Sequence, residues 1–434
     1  MIHVISKILF FMWQISREQY YSPERLQQIQ NGRLQSMVAH AYEKSRFYRD
    51  RFQDQGVSPS DIITSQDLEA IPPTTKEDLQ EHGTDMIATG YSSGNCFMFH
   101  TSGSTGTPAL MLFDEDTMAY QRAESIIEFM ETGYRLWEKL AYTKRTPWKS
   151  HVMQNMGVLR SYHIDSTLSD LQQIQLLKSI KPSLIVSYPT LLYSVAKTAH
   201  HQKMGDITPR SVLIGGEILT AHMRHFIEDV FHTRIFETYA TVEFGTVARE
   251  CSHGNWHINS TQNIVEFEKG KIFITGLINK ALPLLRYEIG DVGHPKEGTC
   301  SCGRNHPMMK ILEGRSGDFM VLPDGREISP LKIGKTKMIL DATRAARRYQ
   351  IIQDELDHFT IRIVPTERFN HILSQRVTEQ LREDLRYPVT VTVELVDHIP
   401  LVDDRKQRIV ISKIKNTIAD NTIEEHGTQN NSVN

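Results

Sequence analysis

The sequence predicts an α/β protein, with a large N-terminal domain built on parallel βαβ units followed by a small α+β C-terminal domain. Three observations carry this reading. Between Leu168 and Tyr239, short apolar runs alternate with amphipathic stretches of about a dozen residues, the signature of βαβ units. At 434 residues the chain is too long for one ordinary core. Past Asp318 the pattern changes to a helix over Leu331–Arg348 followed by β-β-α-β, a stretch of about 100 residues that suffices for a domain of its own.

Within the alternating region, Leu171, Ile174 and Leu177 mark a helix that must stop before Pro182. Ser183–Tyr188 reads as a strand, Pro189–His201 as a helix, Ser211–Ile214 as a strand, Thr220–His232 as a helix and Arg234–Tyr239 as a strand. Upstream, Ser22-Pro23-Glu24 opens a helix with a capping hydroxyl and proline in its first turn. Its apolar face continues through Leu26, Ile29, Met37, Val38 and Ala41, and Tyr42–Phe52 extends it. Glu115–Thr132 reads as an amphipathic helix closed by Gly133, and Thr261–Leu277 as a hairpin around Lys269-Gly270. In the small domain, Tyr349–Gln353, Phe359–Val364 and Val389–Val396 read as strands and Arg368–Leu385 as a helix.

Composition removes several function classes. A net charge of −3 gives no sign of a nucleic-acid partner, and 39% apolar content is ordinary for a globular chain. No apolar run approaches the roughly 20 residues of a transmembrane span. Ile2–Trp13 is apolar but short, carries Lys7 and lacks a small-residue cleavage site, so it is expected to pack on the domain, with association at a membrane surface as the other reading. Four cysteines are too few for a disulfide framework in so long a chain, which places it in the reducing cytoplasm. Oligomeric state is not legible.

The stretch His100–Pro108 holds two glycines and five hydroxyls in nine residues, between the strand-like Phe97–Phe99 and Ala109–Phe113. Gly103 and Gly106 let successive N–H groups turn toward one point, where they and the hydroxyls of Thr101, Ser102, Ser104 and Thr105 can surround phosphate oxygens. This is not the usual P-loop. The chain's Gly334-Lys335-Thr336 has Ser329 where that motif needs glycine.

Two strand ends carry unusual residues, Gly215-Gly216-Glu217 and Tyr239-Ala240-Thr241-Val242-Glu243, and ligands of parallel sheets lie beyond such carboxyl ends. Cys251, Cys300 and Cys302 with an imidazole from His253 or His257 would make a closed tetrahedral structural zinc site.

The glycine- and hydroxyl-rich loop resembles the phosphate loop of the adenylate-forming superfamily of acyl-CoA synthetases, luciferases and peptide-synthetase adenylation domains. Within it the likeness is to the phenylacetate-coenzyme A ligase branch and its capsule-biosynthesis relatives. The likeness runs from Tyr20 to Ile414 through five motifs in order. It implies a large nucleotide- and acid-binding domain over residues 1–313, a small mobile domain over 314–422 joined by a hinge, and a disordered tail over 423–434.

The resemblance also implies roles. Gly215, Gly216 and Glu217 become the adenine site. Tyr239-Ala240-Thr241-Val242-Glu243 resembles a Tyr-Gly-x-Thr-Glu string whose tyrosine stacks on adenine and whose glutamate holds magnesium, a hard cation shared with substrate phosphates. Here Ala240 replaces the glycine and Val242 the hydroxyl residue. Arg286-Tyr287-Glu288-Ile289-Gly290-Asp291 resembles the ribose motif, with Asp291 as the clamp. Gly314-Arg315-Ser316-Gly317-Asp318 resembles the hinge, with Asp318 as pivot and Arg315 on the nucleotide. Asp403–Ile409 resembles the terminal string, making Lys406 the catalytic lysine although Arg405 stands where glycine is usual. A similar Cys-x5-His and Cys-x-Cys arrangement in that branch favours His257 over His253. The implied reaction is ATP- and Mg²⁺-dependent conversion of a carboxylic acid to an acyl-adenylate, then transfer to a thiol, coenzyme A first and a carrier protein as the alternative acceptor. Transfer to an amine, transfer of AMP to another substrate, and a catalytically weak nucleotide-binding protein are the rival readings.

Overall fold

A computed structural model describes residues 2–100, 109–144, 154, 157–217, 219–268, 270–313, 320–328, 330–343, 345–399 and 409–414. They fall into two compact units. One gathers Met1–Ser102, Pro108–Gly133 and Phe236–Gly314; the other gathers Tyr134–Ile235 and Arg315–Asn434.

The first unit begins with three helices, α1 (Ile2–Glu18), α2 (Pro23–Lys44) and α3 (Arg46–Gln55). Ser22 caps α2 through the N–H of Arg25. The sequence reads one helix from Pro23 to Phe52, but the structure breaks it at Ser45, whose extended backbone ends α2 while its hydroxyl accepts from Tyr48 N–H to start α3. A serine side chain that competes for backbone donors explains the break. Strands β1 (Phe97–His100) and β2 (Leu110–Phe113) form a hairpin, and α4 (Glu115–Glu131) follows, capped by Asp114.

The rest of this unit is an antiparallel sheet. Its order is β10 (Asn263–Glu268), β11 (Lys271–Gly276), β12 (Tyr287–Lys296), β13 (Met308–Glu313), β9 (Trp256–Ile258), β8 (Gly245–Glu250) and β7 (Arg234–Thr241), the last from Phe236 onward. Its core joins Leu34, Tyr48 and Phe52 of the helices to Val247, Ile272, Ile274 and Leu285 of the sheet region.

The second unit carries the parallel sheet, in the order β6 (Ser211–Gly215), β5 (Leu184–Ser187), β3 (Lys139–Lys144) and β4 (Arg160–Asp165). Between them lie α5 (Asp170–Ile180) and α6 (Pro189–His201), with α7 (Ala221–Phe231) after β6. The punctuation of the sequence explains the limits: Ser169 caps α5, Lys181 ends it in the left-handed region before Pro182, and Thr220 caps α7.

The chain then runs through a small hairpin, β14 (Met320–Val321) with β15 (Glu327–Ile328), to α8 (Gly334–Thr343). The helix expected over Leu331–Arg348 is shorter, because β16 (Ala346–Glu355) begins at Ala346 and pairs with β17 (His358–Pro365). With α9 (His371–Leu385), β18 (Thr390–Leu395) and β19 (Val410–Ser412) this makes a four-stranded sheet, β18-β17-β16-β19, closed over Ile351, Phe359, Ile361, Val377 and Leu381. Within this unit Lys332 Nζ reaches Asp170 Oδ1 at 3.3 Å and the carbonyl of Leu168 at 2.7 Å, tying the segment before α8 to α5.

Candidate functional site

At the carboxyl end of β6, Gly216 has φ +83°, and a Cβ there would sit 3.0 Å from the ring of Tyr188. Only glycine satisfies both constraints. Glu217 turns back: its Oε2 accepts from Thr190 N–H at 3.2 Å and from Thr190 Oγ1 at 2.7 Å, at the start of α6. Burial holds the Glu217 carboxyl above its ordinary pKa, opposed by the two Thr190 bonds and by the charge of Lys337. The carboxyl ends of β5 and β6 are thus joined into one shelf by Tyr188, Thr190, Gly216 and Glu217.

In the first unit, β7 turns into β8 through Val242, Glu243 and Phe244. Thr241 pairs with Gly245, Gly245 takes φ +68°, and Thr241 Oγ1 accepts from Phe244 N–H at 3.1 Å. This three-residue loop places Glu243 at the tip, 9% exposed. Ala240 precedes it on the strand, opposite Thr246. Tyr239 OH donates to Asp291 Oδ2 at 2.8 Å, so the tyrosine of one motif holds the carboxylate of the next.

Asp291 is held in place by the segment before it. Arg286 sits in the left-handed region, at φ +46°, an uncommon place for a residue with a Cβ. Its buried guanidinium bonds Glu266 Oε1 at 3.1 Å, Glu268 and the carbonyl of Ile71. Thr74 clamps the backbone on the other side: its N–H donates to the Arg286 carbonyl, its Oγ1 to the Leu285 carbonyl, and its carbonyl accepts from Glu288 N–H. The hydroxyl of the fully buried Tyr48 accepts from Leu285 N–H at 2.9 Å.

The ligand atoms of Cys251, His257, Cys300 and Cys302 all lie within 4.8 Å of one another. Cys251 Sγ and Cys300 Sγ are 3.6 Å apart, and Cys302 Sγ lies 3.3 Å from His257 Nε2. Tetrahedral Zn–S bonds of about 2.3 Å put two sulfurs ~3.8 Å apart, so the four residues fit that ion. His257 Nδ1 faces the carbonyl of His306 at 3.2 Å, which fixes the tautomer with its Nε2 lone pair toward the sulfurs. Asn255 Nδ2 donates to Cys300 Sγ at 3.2 Å. His253 donates its backbone N–H to Cys251 Sγ at 3.4 Å while its ring meets Ser252, so the imidazole that joins the sulfurs is that of His257.

Thr101, Ser102, Gly103, Ser104, Thr105 and Gly106 of the phosphate loop, Arg315 and Asp318 of the hinge string, and Lys406 lie outside the described residues.

A family model described as the CapK C-terminal domain matches residues 320–413. Protein CapK of Staphylococcus aureus is 23% identical over 96% of this chain and 96% of its own length. The phenylacetate-coenzyme A ligase of Thermus thermophilus is 22% identical over 82% of this chain and 84% of its own. The chain is thus similar over most of its length to CapK and to phenylacetate-coenzyme A ligases. The fold agrees: a structure of 2-hydroxyisobutyryl-CoA ligase, solved with 2-HIB-AMP and CoA, superposes with a TM-score of 0.62 at 18% identity, covering 95% of this chain and 94% of that one.

Among the described residues, two that shape the candidate site carry no motif of their own in the sequence. Tyr188 follows β5 directly and precedes Pro189 of α6, so its place at a strand end is the signal that could have found it. Arg286 stood inside the quoted ribose motif, but its work is to anchor the segment that carries Asp291, and nothing local in the sequence reveals its buried acidic partners.

Proposed function

We propose that this chain activates a carboxylic acid with ATP, forming an acyl-adenylate and pyrophosphate, and passes the acyl group to a thiol, coenzyme A by preference. The acid's carboxylate oxygen attacks the α-phosphorus, the bond to the β-phosphate oxygen breaks, and the thiolate later displaces AMP. No protein nucleophile is required. The observation that carries this is the Tyr239–Asp291 hydrogen bond, which unites the two motifs assigned to adenine and ribose, in a chain alike over most of its length to ligases that make CoA esters.

In this reading Gly215, Gly216, Glu217, Tyr239, Ala240 and Thr241 serve the adenine, Asp291 the ribose hydroxyls, and Arg315 with the loop Thr101–Gly106 the phosphates. Glu243 would hold magnesium, which would neutralise phosphate charge. Lys406 stabilises the charge developing in adenylation. The domain from residue 314 onward moves about Asp318, and one zinc held by Cys251, His257, Cys300 and Cys302 staples β8 and β9 to the loop before β13. Four protein ligands leave that ion no open position, so its work is structural.

Exchange of labelled pyrophosphate into ATP, driven by a panel of carboxylic acids, tests the first half-reaction. Adding coenzyme A, an amine or a carrier protein then identifies the acceptor. Nucleotide binding without exchange for any acid would replace this reading with a nucleotide-binding protein, a rival that the departures at Ala240, Val242 and Arg405 favour.

A further inference from the structure

Helix α1 carries large apolar side chains on two sides, and only one of these sides is covered within its own unit. Ile8 and Ile15 are buried, and Phe11 packs edge-on against Tyr120 of α4 with ring centroids 5.3 Å apart. The opposite side carries Leu9, Phe10 and Trp13 at 57%, 56% and 52% exposure. Large apolar side chains that share one helix side and stay exposed mark an interaction surface. At its C-terminal end the outer stripe is flanked by arginines. Arg17 lies over the Trp13 ring at 5.3 Å and Arg25 over Tyr21 at 3.9 Å, beside Tyr20, which is 55% exposed. The one acid of α1, Glu18, is buried on the inner side and paired with Arg33 at 2.9 Å. At the far end Lys7 holds Glu115 at 2.9 Å and Asp116 at 2.6 Å.

We propose that the Leu9–Phe10–Trp13 stripe of α1 docks on the anionic surface of a lipid bilayer, with Arg17 and Arg25 at the headgroups. Tryptophan and tyrosine beside arginine are the side chains that settle at the boundary between acyl chains and headgroups. A second copy of the chain fits less well. Three half-exposed large side chains offer on the order of 300 Å², well under the roughly 800 Å² per partner of a stable protein interface. Nor does α1 cross the bilayer: among the described residues no helix is long and apolar enough. Surface docking would bring the enzyme to an acid or acceptor carried in the membrane, while the inference stands on α1 alone and not on the proposed reaction.

The experiment is co-sedimentation of the full chain with vesicles of phosphatidylcholine, with and without phosphatidylglycerol. Binding to the phosphatidylglycerol vesicles is expected, reduced at least ~10-fold by the combined Leu9→Ser, Phe10→Ser and Trp13→Ser changes and about 5-fold by Arg17→Gln. The melting temperature should hold, because these side chains are exposed. Should the triple variant misfold, quenching of wild-type tryptophan fluorescence by brominated lipid decides: quenching supports docking, and its absence overturns it. A wild-type chain that stays in the supernatant, binding unchanged in the triple variant, or a dimer in sedimentation velocity that only the triple variant dissociates would each overturn the proposal, the last in favour of a second copy.

Discussion

Tyr239 donates its phenolic hydrogen to Asp291 Oδ2 at 2.8 Å, linking the end of β7 to the middle of β12 across 52 residues of sequence. A carboxylate that must meet two ribose hydroxyls gains from being aimed before the ligand arrives, since ordering it later would cost binding energy. Tyr239→Phe keeps the ring and removes only the donor. Bonds to charged groups are worth roughly 1.5–3 kcal/mol, so KM for ATP in pyrophosphate exchange should rise by about ten-fold or more while kcat changes less. Equal losses in kcat and KM, or none, would separate the pair from nucleotide binding.

The zinc reading makes a second prediction. Elemental analysis should find about one zinc per chain, and Cys302→Ser should lower both the metal content and the melting temperature. His253→Ala should do neither, because His253 is not among the gathered ligand atoms. Metal-free protein of unchanged stability would return the three cysteines to ordinary buried thiols.

How much of this was legible depends on where the information lies. The parallel half was readable because its signals are local: Ser169 caps α5, Pro189 opens α6 and Thr220 caps α7. Strands β3 and β4 were not, since the stretch around them carries no regular period. Of the antiparallel sheet, only β7 and the β10–β11 hairpin were legible. Pairing of Met308 with His257 and of His257 with Arg249 joins segments far apart in the chain, and such registers follow from tertiary packing and not from the strand's own sequence. That same pairing brings His257 to Cys302, so the metal cluster showed in the sequence as residue types without a geometry.

Two buried carboxyls on α4 make stability depend on pH. Burial pushes Glu124 up to about 8 and Glu128 up to about 7, against the partial compensation of Arg249. A carboxyl whose pKa is higher folded than unfolded binds more protons in the native state. Stability therefore falls as pH rises from the unfolded value near 4.5 through about 8. Thermal melts of Glu124→Gln should show a shallower decline over that window and a higher melting temperature than wild type at its alkaline end. Parallel curves for the two proteins would mean that Glu124 is ionised at no cost.

The phosphate loop is expected to act before any acceptor matters. Ser104→Ala or Thr105→Val should lower acid-dependent pyrophosphate exchange by roughly 10²-fold, the usual cost of losing one preorganised donor. Exchange at the wild-type rate in both variants would displace the triphosphate from this loop.

Lys406 belongs to the proposed mobile domain, and its role follows from charge. Its ammonium can stabilise the negative charge that builds up as the acid attacks the α-phosphate, but has no comparable task when a thiolate displaces AMP from a finished adenylate. An interaction made in one transition state only lowers the rate of that step only. Lys406→Ala should therefore abolish adenylate formation, measured by pyrophosphate exchange, and leave thioester formation from a supplied acyl-adenylate nearly intact. Asp318→Pro, which stiffens the proposed pivot, should show the opposite bias, because the domain must turn between the two steps. If Lys406→Ala slows both half-reactions equally, the lysine is structural or wrongly assigned, and Arg408 and Lys413 become the next candidates. Of these, Lys413 already pairs with Asp354 at 2.7 Å at the edge of the four-stranded sheet, which leaves Arg408 as the first to test.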